Sequence, residues 1–242
     1  MASSSQVRDI HHYIMYENIQ KLLTMHPNSV MFYDDEWISY NDDGTYQFEW
    51  SNDNRKSEVK MEQLGVWWNK TGIIEYFVKP STSSTNALLY ASFDNANLKL
   101  RRPCDGSQYS AEQLYLIADY TNPQFTVDTY RYIRAKNYTI FSLPPGSEQD
   151  TPTRSYLFKA FNRHIQNKHK KYNGDIIRAM NDFCEKTEVA FFVKGIDTFF
   201  NSFRKHYDEK IEISGDAIWI LKTNLRFVLF ECLHTVKTLY YA

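Results

Sequence analysis

The chain has 242 residues, of which 43% are hydrophobic and 16% aromatic. That is enough to bury a core as one domain, or as one domain with an arm. Its 28 Lys and Arg against 29 Asp and Glu leave a formal charge of −1, which argues against a protein built mainly to hold nucleic acid, where a basic excess is usual.

Ser3 to Ser5 can cap a helix, and Gln6 to Met25 contains neither Gly nor Pro. Val7, Ile10 and Ile14, then Ile19, Leu22 and Leu23, have helical spacing, and Pro27 with Asn28 stops the run. The pattern predicts a helical arm over residues 1–27 that packs on its own domain or docks on a second copy. This N-terminus lacks the apolar stretch of a signal peptide, and no apolar run nears a membrane span of about 20 residues. The expectation is a soluble intracellular protein with no membrane partner. Cys104, Cys184 and Cys232 are too widely spaced for a disulfide framework or a zinc signature.

From Ser29 the pattern turns to strands. Asn41-Asp42-Asp43-Gly44 is a hairpin turn, after which Tyr46, Phe48 and Trp50 alternate with polar residues. Asp34-Asp35-Glu36 raises a cation site, but without EF-hand spacing a solvated turn is the expected state. Gly65 to Val78 reads as a strand pair around Lys70-Thr71-Gly72. Ala87 to Phe93 and Leu98 to Leu100 read as strands. Ser110-Ala111-Glu112-Gln113 reads as a capping box for a short helix through Ala118.

The segment "DTYRYIRAKNYTIF", Asp128 to Phe141, interleaves Tyr130, Tyr132 and Tyr138 with Arg131, Arg134 and Lys136. Phe125 to Leu143 reads as two strands, which puts Tyr130 and Tyr132 on one face. Phenols beside fixed cations suit a single-stranded nucleic-acid platform or a contact between protein copies. Balanced overall charge favours the second, with the tyrosines as alkaline-sensitive groups, because free Tyr ionises near pH 10.

Beyond Pro144-Pro145-Gly146 the chain is more helical. Thr151-Pro152 fits a helix start, with Leu157, Phe161 and Ile165 on one face. A basic run follows, with Arg163, His164, Lys168, His169, Lys170 and Lys171. Residues 187–204 and 216–241 are ambiguous between strand and helix. The fold class expected is α+β: an antiparallel β-sandwich with a protruding N-terminal helix and further helices in the C-terminal half. Its body is one domain over residues 28–242, with helices mainly after residue 150.

No glycine-rich phosphate loop, HExxH, CxxC or GxSxG occurs. His11-His12 and the pair His164 and His169 lack ligand spacing on a helix. No catalytic or metal-binding residue is singled out, so the chain is expected not to be an enzyme. Alternatives are a single-stranded nucleic-acid binder using the basic and aromatic patches, or an enzyme whose site is unreadable in sequence.

Three stretches, "SYNDDGTYQF", "YSAEQLYLIADYTNPQFTVDTYRYIRAKNYTIFSLPPG" and "YNGDIIRAMNDFCEKTEVAFF", give the chain a resemblance to the cypovirus polyhedrins. The resemblance implies a structural occlusion-body protein. It would form trimers and crystals in the host cytoplasm, embed virus particles and dissolve in alkali. It implies no required cofactor, although some polyhedrins hold a nucleotide between copies, and it sets self and virus particles, rather than nucleic acid, as partners.

Overall fold

The computed structural model describes residues 16–40, 46–48, 60–83, 86–101, 113–119, 124–143, 151–168, 172 and 175–211. The chain divides into two compact units. The smaller joins Met1–Lys21 to Phe200–Ala242; within it the Tyr16 and Phe200 rings meet edge-on at 6.1 Å. The larger, Leu22–Phe199, contains the sheet. Residues 16–25 are helical (α1), with Ile19 and Leu23 buried. Val7, Ile10 and Ile14 of the expected arm lie outside the described residues.

Six strands form one sheet: β1 Val30–Tyr40, β2 Tyr46–Phe48, β3 Lys60–Asn69, β4 Gly72–Pro80, β5 Leu114–Asp119 and β6 Tyr138–Leu143. The order is β4-β3-β1-β5-β6, with β2 also paired to β1. The pairs β1–β3 and β3–β4 are antiparallel, as are β1 and β2, whereas β1–β5 and β5–β6 are parallel. The strand pair expected around Lys70 to Gly72 is thus β3 and β4. Gly72, at φ +143°, takes the left-handed conformation that their tight connection requires.

Helices α2 (Ala87–Arg101), α3 (Val127–Arg134), α4 (Lys159–Gln166), α5 (Ile176–Lys186) and α6 (Val189–Ile211) complete the described elements. A π-helical turn, Thr153–Phe158, leads directly into α4. Among the described residues no helix is long and apolar enough to cross a membrane.

Adjacent tryptophans define the two faces of the sheet, since strand side chains alternate. Trp67 points toward α2, where its Nε1 donates to Ser92 Oγ at 2.9 Å. It packs there with Tyr33, Phe77, Phe93, Leu116, Ile133 and Tyr138. Trp68 points the other way, donating to Thr153 Oγ1 at 2.9 Å and lying against Phe32. Both indoles are fully buried, and each buried ring of this size removes about 150–250 Å² from water.

The architecture is α+β, but the sheet is open and mixed rather than an antiparallel sandwich. The parallel pairs need crossover connections, which carry helices over the sheet. Three local expectations change accordingly. Ala87–Arg101 is a helix: Leu89, Ser92, Phe93 and Ala96 are its buried residues, spaced i, i+3, i+4 and i+7. Leu114–Asp119 is a strand rather than a helix, with Leu114, Leu116 and Ala118 alternating into the α2-side core. Val127–Arg134 is a helix capped by Thr126, whose Oγ1 accepts from the Thr129 N–H. The cap, and Thr129 with Ile133 buried one turn apart, prevail over the apparent alternation of Tyr and Arg.

Candidate functional site around the buried acids of β1

Asp34, Asp35 and Glu36 are buried in the middle of a strand rather than solvated in a turn. Apolar residues on both sides commit β1 to the sheet centre, so the three acids go in with it. Alternation then separates them. Asp35 faces the α2 side, where its carboxylate accepts from Tyr33 Oη at 3.0 Å and from Gln63 Nε2 at 2.8 Å.

Asp34 lies on the other face, against the π-helical turn. Its Oδ2 accepts from Thr151 Oγ1 at 2.8 Å. Its Oδ1 accepts from Arg154 Nε at 3.1 Å and from the Asp35 N–H at 2.9 Å, and Arg154 Nη2 stands 3.1 Å from the same oxygen. Thr151 also accepts from the Arg154 N–H at 3.0 Å. One hydroxyl thereby starts the helical turn and orients the carboxylate. The Asp34 side chain is 0% exposed and that of Arg154 is 14% exposed, so this is a buried, charge-assisted pair.

Glu36 shares the Asp34 face by alternation. It is 9% exposed, and its buried Oε2 has no hydrogen-bond partner among the described residues. Burial pushes both Asp34 and Glu36 up to about 7, against the pull of the Arg154 charge in each case and with a further upward push from Asp35. Desolvation prevails because the guanidinium offsets only part of the cost of moving a carboxylate out of water.

The parallel register sets the backbone of a further acid, Asp119, beside Asp34. Tyr33 pairs with Ala118, so the next residues along the two strands are Asp34 and Asp119. Asp119 is the last residue of β5 and pairs with Leu143 of β6. Ligand sites in sheets with parallel strands gather outside the carboxyl ends of those strands, and β5 ends at that position.

The tyrosines and arginines singled out in sequence lie elsewhere. Tyr130, Tyr132 and Tyr138 gather against the α2-side core. Tyr132 donates to Asp94 Oδ2 at 2.5 Å and stacks on Tyr90 at 4.5 Å; that hydrogen bond, with burial, pushes its phenol up to about 12. Tyr138 is pushed up by burial despite Arg101 over its ring. Arg131 and Arg134 are exposed, and Arg131 pairs with Asp128 at 3.3 Å. In the basic run, Lys168 and His164 converge on Asp182 at 3.3 and 3.0 Å, whereas Lys170 and Lys171 lie outside the described residues. The Cys184 thiol is half-buried and pushed up to about 11 by burial, which suits a structural rather than a nucleophilic thiol.

No protein-family profile matches the chain. Over 184 residues it is 24% identical to the human histone-lysine N-methyltransferase SETMAR, a match spanning 72% of this chain and 27% of that protein. Its backbone is similar to the catalytic domain of the Mos1 mariner transposase, with a TM-score of 0.62 at 16% identity, covering 86% of this chain and 95% of that one. The same catalytic domain solved with magnesium gives a TM-score of 0.64 at 15% identity, over 86% and 96% of the two chains. A pre-cleavage Mos1 transpososome gives 0.62 at 16%, covering 84% of this chain and 62% of that one.

These matches overturn the polyhedrin resemblance and the occlusion-body function with it. The curated relative is an enzyme, and the structural relatives are a transposase's catalytic domain, which corrects the expectation of a non-enzyme. The expectation that nucleic acid is not a partner, with a crystal lattice in its place, is corrected as well: relatives include a transpososome and a paired-end complex with a transposon end. What the comparisons establish for this chain is the fold of a transposase catalytic domain.

Proposed function

We propose that the chain is a DNA-processing domain of the transposase type, acting on the phosphodiester backbone at DNA ends. The observation that carries this reading is the juxtaposition of Asp34 and Asp119 on neighbouring parallel strands, in a fold matching a transposase catalytic domain over 86% of the chain. The histone-methyltransferase name does not transfer with comparable support. The match spans about a quarter of that protein, whereas it spans nearly all of the transposase domain. Of the sequence-based alternatives, nucleic-acid binding is the one this reading develops, with duplex ends in place of a single strand.

Carboxylates repel a phosphodiester unless a cation stands between them. Structural relatives were solved with magnesium and with manganese, so a divalent ion is the group this fold implies. The described side chains do not fit one as they are packed. Magnesium and manganese favour near-octahedral oxygen coordination. Here the oxygens of Asp34 and Asp35 are engaged by protein donors, and Asp35 faces away. Among the described residues no group of three His, Cys, Asp or Glu side chains could hold a metal. The cation that stands at Asp34 is the Arg154 guanidinium.

Titration of the full chain with a labelled blunt duplex, in rising salt, tests the reading. The expected result is binding at low salt that weakens steeply as salt rises, because each phosphate contact releases counterions. Covalently closed duplex of the same sequence should compete less well than duplex with free ends. Absence of binding at low salt, or equal competition by closed and open duplex, would remove the proposal.

A further inference from the structure

We infer that Arg154 is a built-in substitute for a divalent cation at Asp34, and that this resting arrangement excludes such an ion until the guanidinium leaves. Three observations meet here. The guanidinium makes two contacts to Asp34 Oδ1, both at 3.1 Å, while Thr151 takes Oδ2. Glu36, on the same face and nine-tenths buried, keeps an oxygen with no partner among the described residues, as a ligand without its ion would. Finally, the solved domains similar to this one were crystallised with magnesium and manganese, yet here the place beside the first carboxylate is filled by side-chain charge.

The substitution is physically reasonable. A buried carboxylate needs a compensating positive charge, and a guanidinium supplies one with directed N–H donors. It differs from a metal ion in two respects. It lacks an open coordination position for a water or a phosphate oxygen, and it is tethered, so it cannot be exchanged or chelated away. Thr151 fixes the tether, holding the Asp34 carboxylate and the Arg154 backbone N–H through the same hydroxyl. Glu36 also feels the Arg154 charge. The same guanidinium therefore acts on both acids, and a cation approaching them would meet its like charge.

The inference concerns ion binding in the chain without DNA, so its failure is distinguishable from a failure of the DNA-end reading. The experiment is titration with manganese, followed by electron paramagnetic resonance, of the wild-type chain, Asp34→Asn, Arg154→Gln, Arg154→Lys and Arg154→Gln combined with Asp34→Asn. The wild type and Arg154→Lys should show no saturable site that depends on Asp34. Arg154→Gln should gain one, tighter by on the order of tenfold or more, and Asp34→Asn should abolish the gain. Saturable binding in the wild type that Asp34→Asn removes would overturn the inference, as would a folded Arg154→Gln with no gain. Should Arg154→Gln not fold, NMR of the wild-type Arg154 Nε–H decides. The resonance must persist, protected from exchange, in excess magnesium, and its loss on adding magnesium would refute the substitution.

Discussion

The two faces of the central sheet solve the same burial problem with different chemistry. Toward α2 the sheet presents Met31, Tyr33, Trp67 and Phe77 to Leu89 and Phe93, a dry aromatic layer. Its one acid on β1, Asp35, is satisfied by Tyr33 and Gln63. On the opposite face, Phe32 and Trp68 share β1 and β3 with Asp34 and Glu36, whose charge is balanced from outside the sheet by Arg154. The first face holds the fold together. The second trades some stability for a buried charged cluster in the middle of β1, and misplaced polarity of this kind characterises functional sites.

The largest effect should come from breaking the apolar face. Phe93→Ala removes a fully buried ring between Trp67, Tyr132 and Tyr138 and should cost about 3–5 kcal/mol in urea unfolding. Arg154→Ala breaks the other face and should cost about 3–5 kcal/mol at pH 8, where the buried Asp34 carboxyl loses its compensating cation. Its penalty should shrink at pH 6, because burial favours the protonated Asp34. A pH-independent cost would show that the arginine acts by packing alone.

Close packing separates the faces further. A Cβ on Gly65 would stand 2.3 Å from the buried Phe77 ring, and one on Gly195 would stand 2.3 Å from the half-buried Tyr156. Gly65→Ala should therefore cost about 1–3 kcal/mol, and Gly195→Ala less, because Tyr156 has room to move. Equal losses in thermal unfolding would contradict the distinction.

Acid dependence should reside with the helices. Burial first, then Lys168, lowers the His164 pKa despite Asp182 nearby. The unfolded chain takes up that proton as pH falls through about 6.5 while the folded one resists, so this contribution is present above that pH and lost below it. His164→Gln should flatten the fall in stability between pH 7.5 and pH 5.5, roughly the window of an ordinary His. Smallest of all, Lys99→Ala, at an exposed pair with Glu75 2.8 Å away, should change stability by under about 1 kcal/mol.

Much of the fold was legible where a local signal was unambiguous. The β3–β4 turn, the helix start at Thr151-Pro152 and the stripe of Leu157, Phe161 and Ile165 all carry their structure in a few residues. The segments around 87–101 and 127–134 did not, because short apolar or alternating runs fit either period until tertiary packing chooses. The site was hidden for a different reason. Three consecutive acids ordinarily mean solvent, and only the apolar residues on both sides, Val30 to Tyr33 and Trp37 to Ile38, hinted at burial. Asp119 and Arg154 lie 85 and 120 positions from Asp34; strand register sets the Asp119 backbone beside it and a helical turn brings Arg154 to it, and no spacing rule anticipates that.

Manganese anomalous scattering from manganese-soaked crystals of the full chain without DNA tests the pairing of Arg154 with Asp34 most directly. The account predicts Arg154 still paired with Asp34 and no manganese peak on that carboxylate. A manganese ion ligated by Asp34, with the guanidinium in place or displaced from it, would contradict that prediction.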